Sequence, residues 1–291
     1  MNVEDGYLYF GIDVGATRLS VCDSDGSHRL LDCPSRSEKT LTALLAPLAN
    51  GGDRKLRAVV AVSNAVPPEE QDSIYRSFAG AIDNLLLIPD LLAVAYGMDR
   101  LTDTMIIDIG ATRTDFCILE GRFPSQEDQR SLEIGGSSID RQLVANLGQR
   151  YPELPITLDQ VRGWKERHAF VGPRSQRILV STTVNGAEAE LDITDAMRLS
   201  CESILPPLIG AMLDLLQTRS PASQQTVRQN ILLTGGSSLI HGLASRLEGS
   251  LRETGGGRVR RLMDPTFAAA RGSLAMANDL SEGAWSQLTP A

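Results

Sequence analysis

Two aspartates stand two residues ahead of two glycines in nearly identical surroundings. Ile12-Asp13-Val14-Gly15-Ala16-Thr17-Arg18 returns as Ile107-Asp108-Ile109-Gly110-Ala111-Thr112-Arg113, differing only by valine for isoleucine. A glycine lets backbone turn sharply and approach a ligand without a Cβ, so that successive amides converge on an anion such as a phosphate. A carboxylate beside phosphates makes chemical sense mainly through Mg²⁺, which keeps most of its water shell. Two such turns would hold a polyphosphate from both sides. The bland alternative is a pair of unrelated tight turns, or a duplication kept only for folding.

Positioning these residues requires strands on either side. Apolar, β-prone runs at 7–11 and 104–107 lead in, and runs at 19–22 and 116–119 lead out, which predicts strand, turn, strand twice. The first copy continues through Asp23-Ser24-Asp25-Gly26 into a third strand ending at Cys33. A short helix is expected over 40–46, ended by Pro47 and Asn50-Gly51-Gly52, and a buried strand over 56–62. Pro67-Pro68-Glu69-Glu70 reads as a helix start with acidic residues near the positive end of the dipole. A strand over 85–88 then meets Pro89-Asp90, and a helix over 91–98 follows.

The second half opens with Glu133-Ile134-Gly135-Gly136-Ser137-Ser138-Ile139-Asp140, a strand and glycine turn entering a helix to about Arg150. A polar helix over 157–169 carries Lys165 and Glu166. Strands at 178–184 and 187–193 flank Asn185-Gly186, which suits a type I′ hairpin. Helices are expected from Thr194-Asp195 to Leu205 and on to Leu216. The strand 230–234 runs into Gly235-Gly236-Ser237-Ser238 and a helix to Leu251, and 265–280 forms a final helix. Strands alternating with helices, together with hairpins, indicate α/β architecture with mixed sheets.

Bulk properties narrow the function. The 291 residues are 42% apolar and 22% charged, ordinary for a globular protein with a sizeable core. A formal net charge of -8 argues against a general nucleic-acid partner and against a polybasic membrane surface. Cys22, Cys33, Cys117 and Cys201 lack metal-type spacing and read as buried thiols of a reducing compartment. The acidic first residues resemble neither a secretory signal nor a basic anchor. The longest apolar run, 204–216, contains Pro206, Pro207, Gly210 and Asp214 and falls short of the ~20 residues of a membrane helix. A cytoplasmic protein is expected.

Glycine turns after strands at Gly15, Gly110, Gly135-Gly136 and Gly235-Gly236, in that order, resemble the actin-like ATPase superfamily of actin, Hsp70 and the sugar kinases. Asp13 to Thr17 resembles its first phosphate motif, Asp108 to Asp115 its second, and Leu232-Leu233-Thr234-Gly235-Gly236-Ser237-Ser238-Leu239 its adenosine motif. The similarity runs from Leu85 onward toward bacterial actins of the MamK family, which organise magnetosome chains. Arg122-Phe123-Pro124-Ser125-Gln126-Glu127-Asp128-Gln129, Lys165-Glu166-Arg167-His168-Ala169-Phe170-Val171-Gly172 and Asp264-Pro265-Thr266-Phe267 carry it, in a chain resembling a shortened MamK-like paralogue.

The resemblance implies an actin-like fold of two similar lobes around a nucleotide cleft. Lobe I would span 1–133 and lobe II 134–255, with a small subdomain at about 151–195, and 256–291 would return to lobe I. The cofactors would be ATP and Mg²⁺. Asp13 and Asp108 would face Mg²⁺ through water, and Gly15, Ala16, Thr17, Gly110, Ala111 and Thr112 would hold the phosphates. Gly235, Gly236 and Ser237 would approach adenosine, with Gly135 and Gly136 nearby. Lys165 and Glu166 would touch adenine or ribose; a solvated helix face is the equal alternative.

Three departures qualify this picture. The glutamate that positions attacking water in bacterial actins corresponds to Asp90, whose carboxylate is one methylene further back. Hydrogen-bond reach governs water activation, so hydrolysis should be slow; alternatively Asp90 only caps its helix. Thr112 and Arg113 replace the glycine and threonine usual at the second turn, and Arg113 would either bind the γ phosphate or point to solvent. Arg18 occupies the equivalent place in the first copy. Finally, the segment between Cys33 and Leu56 is too short for the lobe called subdomain IB.

The expected function is a cytoskeletal actin that binds ATP and polymerises, alone or with a full-length actin, to organise or align magnetosome-type organelles. Partners would be a second copy and possibly a MamK-type actin, with magnetosome-associated proteins implied by resemblance only. A sugar-type kinase of the same superfamily, or a non-hydrolysing regulator of another actin, are the alternatives.

Overall fold

The computed structural model describes residues 6–47, 54–184 and 187–288. The chain divides into two compact units, the first made of Met1–Ile106, Leu119–Pro124 and Leu262–Ala291, the second of Ile107–Ile118 and Ser125–Arg261.

In the first unit, β1 (Tyr7–Val14), β2 (Arg18–Asp23) and β3 (His28–Asp32) form an antiparallel meander. Helix α1 (Glu38–Leu45) follows, and its cap is Ser37, whose hydroxyl accepts from the Thr40 N–H. Then β4 (Lys55–Val62), α2 (Pro68–Ala79), β5 (Asn84–Pro89) and α3 (Asp90–Gly97) add two parallel crossovers, giving the sheet order β3-β2-β1-β4-β5. Central β4 is buried along all but its first residue, the near-continuous apolar run of a strand covered on both faces. Edge strand β3 is mostly exposed and polar, which discourages pairing with another chain. Ile74 and Phe78 of α2 and Leu41 and Leu45 of α1 pack on Phe10, Ile12, Leu19, Ala58 and Val60.

The second unit repeats this order. β6 (Thr104–Ile109), β7 (Thr114–Leu119) and β8 (Gln129–Leu132) lead into α4 (Gly136–Arg150). Next come α5 (Leu158–His168) and an antiparallel pair of β9 (Leu179–Val184) with β10 (Ala187–Asp192). Helices α6 (Thr194–Glu202), α7 (Leu205–Gln217) and α8 (Pro221–Arg228), then β11 (Ile231–Thr234), α9 (Leu243–Leu251) and β12 (Val259–Arg261), complete it. The sheet runs β12-β11-β6-β7-β8, the same pattern as β5-β4-β1-β2-β3. The duplicated phrase thus sits at the same corner of two sheets wound alike. The architecture is the expected α/β one with mixed sheets, and α1 is the only described element between β3 and β4.

The chain closes on the first unit through α10 (Ala268–Asp279) and α11 (Glu282–Gln287). Gly272 lets α10 lie directly on α3, since a Cβ there would stand 1.8 Å from the Ala93 carbonyl oxygen. The sequence reading of one helix over 265–280 misses α11, whose single apolar anchor, Trp285, is fully buried. Arg57 of β4 forms a two-toothed ion pair with Glu282 and stacks 3.5 Å over the Tyr7 ring.

Other differences share one cause, the weak signal of short polar elements. The strand expected at 133–134 lies instead at β8, whose residues Gln-Arg-Ser-Leu give no apolar alternation. Likewise α8 and β12 carry few apolar positions. The Asn50-Gly51-Gly52 stop and the Asn185-Gly186 turn lie outside the described residues. The segment Thr194–Gln217, longer than the run seen in sequence, is long and apolar enough for a membrane span by length and composition. A turn at 203–204 splits it into α6 and α7, with Met197, Cys201, Leu208, Met212 and Leu215 fully buried.

Candidate functional site

Each unit carries its own glycine turn behind an aspartate. In the first, the chain leaves β1 after Val14 and turns through Gly15, Ala16 and Thr17, with the Gly15 N–H bonded to the Arg18 carbonyl at 3.0 Å. Sheet register places Asp13 beside Ala61, and Ala61 beside Ile88. Asp13 and Asp90 therefore lie at the same carboxyl edge of three parallel strands, where α/β folds gather ligand-binding groups. Asp90 is the first residue of α3, behind Pro89 at the cap position, and its carboxylate accepts the Leu91 N–H at 2.6 Å.

Two carboxylates and one guanidinium set the electrostatics of this edge. Burial first and the Asp90 charge second, opposed by the Arg36 guanidinium, together raise the Asp13 carboxyl to about 7. Arg36 donates its Nε–H to the Gly15 carbonyl at 3.2 Å and pairs with Glu70 of α2 at 3.1 Å. Sequence reading missed Arg36, which stands in a polar stretch with no repeating pattern to single it out.

In the second unit the Gly110 N–H bonds the Arg113 carbonyl at 2.9 Å, matching the first turn. The Gly110 carbonyl accepts from the Gly136 N–H at 3.0 Å and from the Ser237 hydroxyl at 3.1 Å, and the Ala111 carbonyl accepts from the Ser137 N–H at 2.7 Å. Gly135, Gly136 and Ser237 are thus brought onto the turn that carries Asp108. Gly235, at φ +80°, lies against the same strand: a Cβ there would come within 2.1 Å of Asp108 Oδ1. Neither its backbone angle nor its space admits another residue. Beside it Gly236 begins a short 3-10 turn.

Lys165 and Glu166 separate. The Lys165 ammonium is held by the Gly136 carbonyl at 2.9 Å and by buried Asp140 at 2.8 Å. Glu166 is exposed. The solvated-face alternative therefore fails for Lys165, and Asp140, given no role from sequence, is its partner. Arg113 pairs with Glu133, Nε to Oε1 at 3.2 Å, rather than standing unpaired toward solvent. Arg18 faces Asp32, its register partner across β2 and β3, at 3.9 Å. Arg18 thus bridges β2 and β3, and the Arg113–Glu133 pair joins the residue just before β7 to the one just after β8, the corresponding place in the second meander. Thr112 is exposed at the tip of its turn.

A fold of this kind, with twin glycine turns at matched corners, invites comparison with known proteins. Residues 38–283 match the MreB/Mbl protein family. The chain belongs to that family. Actin-like protein MamK of Magnetospirillum gryphiswaldense is 32% identical over 248 residues, covering 85% of this chain and 69% of that protein. A MamK double helical filament matches with a TM-score of 0.88 at 26% identity, over 94% of this chain and 100% of that chain. A non-polymerising MamK mutant bound to AMPPNP matches with a TM-score of 0.77 at 26% identity, over 94% of this chain and 99% of that one. In this MreB/Mbl-family chain the first glycine turn, at 15–17, precedes the residues that the family matches. Its place rests on the duplication itself.

Proposed function

We propose that this MreB/Mbl-family chain binds ATP with Mg²⁺ through its two phosphate turns and polymerises, alone or with a longer MamK-type actin. In the cytoplasm the filaments would organise or align magnetosome-type organelles. The observation that carries the reading is the matched pair of turns. Both close the same glycine-to-arginine hydrogen bond after an aspartate at a sheet edge. The filament and AMPPNP-bound structures of MamK support it by analogy.

The residues fit the cofactor. Asp13, held near neutrality beside Asp90, gains most from a hydrated divalent ion, and Asp108 is the corresponding carboxylate of the second turn. Amides of Gly15 to Thr17 and Gly110 to Thr112 would receive the phosphates. Gly235, Gly236 and Ser237 would admit adenosine, Glu166 its ribose side, and Lys165 would steady the start of α4 at Gly135-Gly136. Bound ATP supplies the phosphoanhydride to be cleaved. Asp90 would orient the attacking water from a carboxylate shorter than glutamate, which makes hydrolysis slow.

A second reading, a non-hydrolysing regulator of another actin, draws on α1 being the only described element between β3 and β4. Titrating the purified protein with a fluorescent ATP analogue, with and without Mg²⁺, tests the shared premise. Saturable binding that needs Mg²⁺ supports it, and no binding at millimolar nucleotide sinks it. Phosphate release then separates the slow ATPase from the regulator.

A further inference from the structure

The two phosphate turns present the same backbone, yet different groups hold it. In the second turn the Gly110 carbonyl is fixed by a helix N-terminal amide, Gly136, and by the Ser237 hydroxyl. In the first turn the equivalent carbonyl, Gly15, receives the Arg36 Nε–H instead. A trans peptide is planar with its N–H opposite its C=O. Whatever holds the Gly15 oxygen therefore also aims the Ala16 N–H the other way, and the Gly136 and Ser237 contacts do the same for Ala111.

We propose that Arg36 is the positioning residue of the first phosphate turn, doing with one guanidinium what α4 and Ser237 do in the second unit, so that the Ala16 amide is presented to nucleotide phosphate. The assignment rests on the nucleotide-binding reading above.

Three further observations support it. Arg36 has its own anchor, the Glu70 carboxylate of α2 at 3.1 Å, so the guanidinium is braced on the side away from the turn. It is largely enclosed, with 17% of its side chain exposed. The same short segment makes a second tether, the Cys33 N–H donating to the Thr17 carbonyl at 2.8 Å, so that both ends of the turn are held from one side. That segment lies between β3 and β4, where α1 is the only described element. Besides joining the two strands, this link supplies the cation that orients the phosphate loop.

The test compares wild type with Arg36→Ala, Arg36→Lys and Glu70→Ala. Two readouts are needed: Mg²⁺-ATP affinity, and amide hydrogen exchange by mass spectrometry over peptides 10–20, 28–36 and 105–115. Arg36→Ala is expected to weaken Mg²⁺-ATP about tenfold, the scale of one lost charge-assisted hydrogen bond. It should also speed exchange at Gly15 and Cys33, whose N–H groups are bonded within this tether, and leave 105–115 unchanged. Arg36→Lys keeps the charge but loses the planar fork whose separate nitrogens reach Gly15 and Glu70, and should fall between; Glu70→Ala should show the same pattern more weakly.

Affinity within twofold of wild type in Arg36→Ala, or exchange rising equally in both turns, overturns the proposal. If Arg36→Ala does not fold, Arg36→Lys and Glu70→Ala decide by the same criteria. Should wild type itself bind no Mg²⁺-ATP, the functional reading falls, while the exchange comparison still decides whether Arg36 orders the turn.

Discussion

The carboxyl groups of Asp13 and Asp90 share one sheet edge, and the charge of Asp90 adds to burial in holding Asp13 at about 7. That carboxyl is therefore only partly ionised at neutral pH, and a divalent cation beside it would favour the ionised form.

The sign of that linkage is fixed. An acid whose folded value is raised favours folding most below its unfolded value, near 3.8, and that advantage is lost as pH climbs to about 7. The nucleotide-free protein should thus lose stability between pH 4 and 7 on account of Asp13. Mg²⁺-ATP needs the ionised carboxylate, so its affinity should rise from pH 6 to 8 with release of a proton. Calorimetry in buffers of different ionisation enthalpy measures that proton. Asp13→Asn should remove both the proton release and its share of the stability slope.

Asp90→Glu restores the missing methylene. Misplacing a catalytic group by about 1 Å costs ~10²-fold in rate, so phosphate release should rise by one to two orders of magnitude with nucleotide affinity little changed. An unchanged rate would mean that Asp90 acts only at the head of α3.

Gly235→Ala confronts both a positive φ and the Asp108 side chain at 2.1 Å. The variant should lose about 2 kcal/mol or more of stability, as substitutions at left-handed, closely packed glycines do, and should bind nucleotide poorly. Urea denaturation and nucleotide titration together measure it. Gly236→Ala, with open space around the position, should be milder in both.

Lys165→Met strands the Asp140 carboxylate, which is 3% exposed. Removing one partner of a buried pair costs about 3–5 kcal/mol, and the Arg162 nitrogen 3.8 Å away softens it toward the lower figure. Combining it with Asp140→Asn should recover much of the loss in chemical denaturation, because no charge is then left unpaired.

Much of this architecture was legible in the residues. The twin phrase marked the matched corners of the two sheets, Pro89-Asp90 marked the strand-to-helix junction, and Gly235-Gly236 marked a turn whose first residue only glycine fits. What stayed hidden were contacts made across the fold by residues without periodicity. Arg36 looks like any loop arginine until β1 and α2 bring Gly15 and Glu70 to it. Lys165 looks like a solvated helix residue until Asp140 is seen beneath it. Arg113 shows no partner in sequence because Glu133 reaches it only through the β7–β8 register. Helix α11 was invisible because one tryptophan carries its whole apolar face.

The most direct test of the central claim is electron microscopy with sedimentation of the purified protein, in Mg²⁺-ATP and in nucleotide-free buffer. Actin-type filaments that pellet are expected in Mg²⁺-ATP, formed alone or on mixing with a full-length MamK-type actin, and few without nucleotide. Protein that stays in the supernatant under every one of these conditions, and leaves the full-length actin's polymer unaltered, would contradict it.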